Sequence, residues 1–135
     1  MSINKKHLID CDVDPFVPDD WKVYKEDQLE GRVRGKVDPQ NIMLCEIDNT
    51  LQKDLCTLEE KPVLTANVLD YLLANPNLIP DEWQKKHVFF FGTIYNSEGY
   101  LAVRCLYQFD EGEWIWGHDW LDRSWRKEHA ALLAS

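Results

Sequence analysis

The chain has 135 residues, 44% of them hydrophobic and 29% charged, and a formal net charge of −9. A chain of this length folds as one domain and buries roughly 70% of the surface its unfolded form exposes, so it needs no covalent or metal staple. The acidic balance excludes nucleic acid and anionic membrane as main partners, because both are recognised by a basic face, and no apolar run approaches the ~18 residues that cross a bilayer.

In chain order, residues 1–40 read as a largely irregular N-terminal arm. Its first apolar stretch is broken by Asp10 and Asp12, unlike a signal peptide. Pro15 and Pro18 keep "DVDPFVPDDWKV" extended, with Phe16, Val17 and Trp21 expected to pin it to the domain. "QLEGRVRGKVDPQ" has two glycines and alternating charge, the composition of an exposed hairpin or loop. "NIMLCEI" (41–47) has the length and composition of a buried strand. In "DNTLQKDLCTLEEK", Asn49 or Thr50 caps a short predicted helix with Leu51, Leu55 and Leu58 on one face, ended by Lys61-Pro62. A second helix follows Thr65 or Asn67 as its cap, with a stripe of Val68, Leu69, Leu72 and Leu73, and stops at Asn75-Pro76. Pro80 suits the first turn of a short third helix, with Asp81 and Glu82 near its N-terminus.

From His87 the period becomes two. "HVFFFGTIY" and "YLAVRCLYQF" flank the turn "NSEG", and "EWIWGHDWL" follows the turn "DEG". "HAALLAS" is helix-prone or a hydrophobic tail that docks on the sheet. The predicted fold is a single α+β domain over 1–135, in which a three-stranded antiparallel meander at 87–120 packs with two or three short helices.

Little in the chain resembles catalytic machinery. Asp10, Asp12 and Asp14 alternate like the start of a calcium loop, but the glycine and glutamate such a loop requires are replaced by Pro15 and Trp21, so they read as a solvated acidic arm. His118 and Asp119 adjoin Asp122, yet no nucleophile is marked by GxSxG, and HExxH and P-loop motifs are absent. Cys11, Cys45, Cys56 and Cys105 have no CxxC spacing, and no histidine lies at finger spacing from them. They read as buried thiols of a reduced, cytoplasmic protein with no metal and no cofactor.

The distinctive stretch is "EWIWGHDWLDRSW", which holds four of the chain's six tryptophans: Trp114, Trp116, Trp120 and Trp125. Strand alternation puts Trp114 and Trp116 on one face and Glu113, Ile115 and Gly117 on the other. Indoles two apart fill a sheet–helix interface well, whereas Trp120 and Trp125 fall in a predicted loop. Tryptophan and arginine are also the residues enriched at binding hot spots.

The segments "KPVLTANVLDYLLANPNLIPDEW", "VFFFGTIYNSEGYLAVRCLY" and "WIWGHDWLDRSW…AALLAS" resemble a group of small uncharacterised bacterial proteins, over most of residues 50–135. The C-terminal block is similar to the variable proteins of diversity-generating retroelements, in which a tryptophan frame surrounds residues diversified by randomising adenines. The tryptophan codon lacks adenine, and randomised AAC yields the residue types found at 115, 117, 118, 119, 123, 124, 126 and 129. It cannot yield Lys127 or Glu128. The resemblance implies a C-type-lectin-like fold as an alternative, although the glycine-rich tryptophan motif of those proteins is not found here. It also implies a non-enzymatic module that binds a protein or small ligand. In that module Ile115, Gly117, His118, Asp119, Arg123, Ser124 and Arg126 contact the ligand, and Trp114, Trp116, Trp120 and Trp125 form the frame. Two further readings stand beside it: a small acidic interaction or inhibitor protein of a mobile element, and an enzyme with dispersed catalytic residues.

Overall fold

The computed structural model describes residues 8–24, 28–47, 61–110, 112–121 and 128–133. The predicted helix of residues 48–61 lies outside the described residues, as do Cys56, Asp122, Arg123, Ser124, Trp125 and Arg126. The fold is α+β. Strands predominate, and one α-helix, α1 (Ala66–Ala74), is present among the described residues rather than two or three short ones. No described helix is long and apolar enough to cross a membrane.

The strands are β1 (Ile9–Asp10), β2 (Trp21–Val23), β3 (Lys36–Val37), β4 (Ile42–Ile47), β5 (Val88–Phe89), β6 (Tyr95–Ser97), β7 (Tyr100–Phe109), β8 (Glu113–Trp120) and β9 (Glu128–Leu133). β1 and β3 form a small ribbon, and the other seven form one open mixed sheet. β7 is its spine. One edge of β7 pairs with β8 along its length, from Phe109↔Glu113 to Ala102↔Trp120. Its other edge is shared by β6 near one end and β5 near the other. The sheet then forks: β2 extends it from β6, while β9 and β4 extend it from β5. β6, β7 and β8 pair antiparallel in chain order as a meander does, but within a larger mixed sheet in which β5 and β9 run parallel.

Several predicted elements change form. The expected strand over "HVFFFGTIY" is split into β5 and β6, because residues 91–93 turn aside to meet the chain before α1. Gly92 donates its N–H to the Leu64 carbonyl at 2.8 Å. A Cβ at this glycine would stand 2.5 Å from the Leu64 carbonyl carbon, so only glycine fits. The tail "HAALLAS" is a strand over Glu128–Leu133, because its small residues Ala130 and Ala131 fit between β4 and β5. β4 is an edge strand with one fully buried residue, Ile47, rather than a buried strand. Thr65 occupies the N-cap position of α1 but makes no cap bond. The Ala66 amide is taken by the Thr93 hydroxyl at 2.8 Å, while the Thr65 hydroxyl turns to the Cys11 carbonyl. Asn75 closes α1, and Pro76–Leu78 and Asp81–Trp83 continue as 3₁₀ turns, with Pro80 at an N-cap.

Both faces of the sheet are packed. On one, Val88, Leu106 and Ala131 meet Val68, Leu69 and Leu72 of α1, the stripe expected from the sequence. On the other, Phe89, Val103, Cys105 and Ala130 meet Leu29, Val63 and Phe91. The N-terminal segment carries three short strands, and β2 joins the main sheet through Trp21↔Ser97 and Val23↔Tyr95. Gly92→Ala is expected to lose at least about 2 kcal/mol in denaturant unfolding, because rigid backbone rather than a movable side chain opposes the added methyl; a loss below about half of that contradicts the packing described.

Candidate functional site: the aromatic face of β8

Alternation along β8 puts Trp114, Trp116, His118 and Trp120 on one face and Glu113, Ile115, Gly117 and Asp119 on the other. The candidate residues at 115–119 therefore do not share one surface. His118 stands with the tryptophans, whereas Ile115, Gly117 and Asp119 face away. Adjacent in sequence, His118 and Asp119 point to opposite faces and are not an acid–base pair. Gly117 lies beneath the Tyr107 ring, where a Cβ would come within 3.0 Å of a ring carbon.

The tryptophan face continues onto the N-terminal segment. Trp21 of β2 contacts Trp116 (ring centroids 6.3 Å), His118 (4.8 Å) and Tyr95 (5.4 Å). His118 is edge-on to Trp120 at 5.1 Å, and Trp120 to Tyr100 of β7 at 6.0 Å. Phe16 covers Trp116 at 5.9 Å. The row grades from core to solvent. Trp114 and Trp116 pack against the main core, while Trp120 is 36%, Phe16 52% and Tyr100 63% exposed. Of the four frame tryptophans, Trp120 is thus a surface residue, and Trp114 and Trp116 are structural first.

Beneath the row lies Arg104 of β7, fully buried. Its guanidinium sits 4.4 Å from the Trp116 ring centroid, 5.2 Å from that of Phe16 and 6.0 Å from that of Tyr95. Each such contact contributes about 0.5–2 kcal/mol. Nη2 pairs with Asp70 of α1 at 2.9 Å. The other Asp70 oxygen accepts the Phe16 amide at 2.8 Å. The Phe16 carbonyl accepts the Tyr95 hydroxyl at 2.8 Å and Arg104 Nη1 at 3.4 Å. Burial pushes the Tyr95 hydroxyl pKa up despite Arg104 beside it. Arg104, Asp70, Tyr95 and Tyr100 were not among the residues singled out from the sequence. The available signal was a charge in "YLAVRCLYQF" in phase with inward-facing Ala102 and Leu106.

Elsewhere the polar groups are dispersed. Asp12 pairs with exposed Arg34 at 2.6 Å, which holds its carboxyl below the usual range. Cys11, Cys45 and Cys105 form no disulfide, and burial raises the pKa of Cys11. Among the described residues, no three His, Cys, Asp or Glu side chains are grouped to hold a metal ion. Comparison of the chain with protein families, with curated proteins and with solved structures gives no match.

Two measurements test this arrangement. Asp70→Ala removes the counter-charge of a buried guanidinium and the acceptor of the Phe16 amide. It is expected to cost about 3 kcal/mol in denaturant unfolding, the low end for a broken buried pair because Asp70 is partly exposed. Arg34→Ala, whose pair is exposed, is expected to leave the midpoint essentially unchanged, and equal losses in the two variants contradict the assignment. His129 gives a pH test. Burial lowers its pKa and Lys86 acts in the same direction, outweighing Glu46, whose carboxylate is 4.0 Å away. The unfolded imidazole binds its proton near pH 6.5, about the ordinary histidine value, and the folded one only below that. Stability from a neutral His129 is therefore complete above that pH and is lost as pH falls toward the folded value. Between about pH 7 and 5 the wild-type melting temperature should drop more than that of His129→Gln; parallel curves exclude the effect.

Proposed function

We propose that the protein is a non-enzymatic binding module whose contact surface is the outer part of the aromatic row: Trp120, Tyr100, His118 and the exposed side of Phe16. The observation that carries this reading is the grading of the row. Trp116 and Trp21 are spent on packing. Trp120 and Tyr100 continue the same face into solvent, on paired strands, where large apolar rings gain nothing from burial. Aromatic side chains on a fixed backbone are effective contacts because little rotamer entropy is lost when they engage a ligand. The β7–β8 pair supplies the platform, and the Arg104–Asp70 pair supports it from below.

The resemblance to retroelement variable proteins gives the row a second reading. On that reading the tryptophans are the constant frame and Ile115, Gly117, His118, Asp119, Arg123, Ser124 and Arg126 are the diversified set, of which His118 alone among the described residues lies on the aromatic face. The partner is a protein or a small ligand.

The test separates binding from stability. Peptide and oligosaccharide arrays probed with the wild-type protein should give signals that are lost with the Tyr100→Ala/Trp120→Ala double variant. That variant should keep its unfolding free energy within about 1 kcal/mol, while Trp116→Ala should lose about 3 kcal/mol. Identical array profiles for the wild type and the double variant contradict the reading.

A further inference from the structure

β8 is an edge strand among the described residues. Among these it pairs with β7 alone, and the direction of its backbone groups follows from the register. The Leu121 amide donates to the Leu101 carbonyl at 3.0 Å. Leu121 and Leu101 continue the Trp120↔Ala102 register, which makes them a hydrogen-bonded pair. In an antiparallel ladder such pairs alternate. Residues 113, 115, 117 and 119 therefore direct N–H and C=O toward β7, and 114, 116, 118 and 120 direct theirs outward. Two bonds agree with this phase. On the far side of β7, the Arg104 carbonyl accepts the Phe90 amide at 3.0 Å, and the outward Trp120 amide is taken by the Asp119 carboxylate at 2.9 Å. The edge is thus closed at Trp120. At Trp114, Trp116 and His118 the residues of the aromatic face also present their backbone outward.

From this juxtaposition we infer that the outer edge of β8 receives an extended segment of a basic partner protein as an additional strand. This inference rests on the binding-module reading and names its partner class. The added strand's amides pair with the outward groups of Trp114, Trp116 and His118, the mode by which exposed sheet edges capture peptides. Charge selects the occupant. On the face opposite the tryptophans, Glu113 and Asp119 stand six positions apart, at the two ends of the edge. The whole chain carries −9, which also disfavours a second copy of itself at this edge. A strand with Lys or Arg at its two ends on that face, and small residues between them opposite Ile115 and Gly117, is complementary. Its alternate side chains lie beside the indoles and His118.

The probe is the acetylated and amidated peptide Lys-Val-Thr-Val-Thr-Val-Lys, whose lysines match the Glu113–Asp119 spacing, titrated into the full chain by calorimetry. Its affinity should fall at least tenfold when glutamates replace the lysines, and should weaken as salt rises. His118→Pro removes one outward amide without touching the β7 ladder and should weaken binding at least tenfold more than His118→Ala, which removes the same side chain and keeps the amide; equal weakening in the two variants contradicts the strand addition. Amide exchange read residue by residue in the wild type covers a His118→Pro chain that fails to fold. Peptide addition should slow the Trp116 and His118 amides and leave Gly117 unchanged. Absence of binding, equal affinity for the glutamate peptide, or no slowing at Trp116 and His118 overturns the inference. If the arrays still give signals that depend on Trp120 and Tyr100, the binding-module reading survives that outcome; if those signals are also lacking, both fail.

Discussion

Arg104 is a permanent positive charge placed where the sheet has no water, and its neighbours are arranged around that fact. An unpaired buried guanidinium is costly, so different parts of the chain meet its two terminal nitrogens and its face, while Nε has no hydrogen-bond partner among the described residues. α1 supplies the counter-charge through Asp70, the N-terminal segment supplies a carbonyl through Phe16, and β8 supplies a ring face through Trp116. β6 adds the Tyr95 hydroxyl, at 3.4 Å. A buried pair of this kind returns little net stability over a well-packed apolar substitute. What it imposes is geometry. Phe16 is held through both its amide and its carbonyl although its ring is half in solvent, and the segment that carries it is thereby laid against the tryptophans.

The second constraint is the alternation of β8, which assigns its residues two jobs in each of two directions. Even-numbered side chains build the aromatic face, and their backbone groups point away from β7. Odd-numbered side chains carry Glu113 and Asp119 on the reverse face, and their backbone groups hold the strand to β7. Face and edge therefore cannot be altered independently by sliding the strand, because a shift of one residue exchanges both sets.

Much of this was legible in the sequence where the physics is local. The stripe of Val68, Leu69 and Leu72, the stop at Asn75-Pro76, the alternation of Trp114 and Trp116, and the turn at "NSEG" all depend on neighbours a few residues apart. What could not be read depends on distant partners. Gly92 breaks a strand-like run because Leu64 approaches it, and no local pattern announces that contact. "HAALLAS" has helical composition, but the space between β4 and β5 admits a strand of small residues, and tertiary context overrides propensity. The candidate site was half legible. Its tryptophans stand out in the local pattern, but the unrelated residues between them are neighbours in sequence only, because alternation divides them between two faces. Arg104 and Asp70, thirty-four residues apart, were missed because a charge in an apolar strand signals burial without naming its partner.

The central claim is that the Arg104–Asp70 pair fastens the Phe16 segment onto the tryptophan face and so shapes the contact surface. Residue-resolved amide exchange at Phe16 tests it most directly. The account predicts that the Phe16 amide, bound to Asp70 in an otherwise exposed stretch, is strongly protected in the wild type. In Arg104→Met it should lose most of that protection, and the indole resonances of Trp21 and Trp116 should shift together. Exchange of the wild-type Phe16 amide at the rate of an unstructured chain would contradict the account.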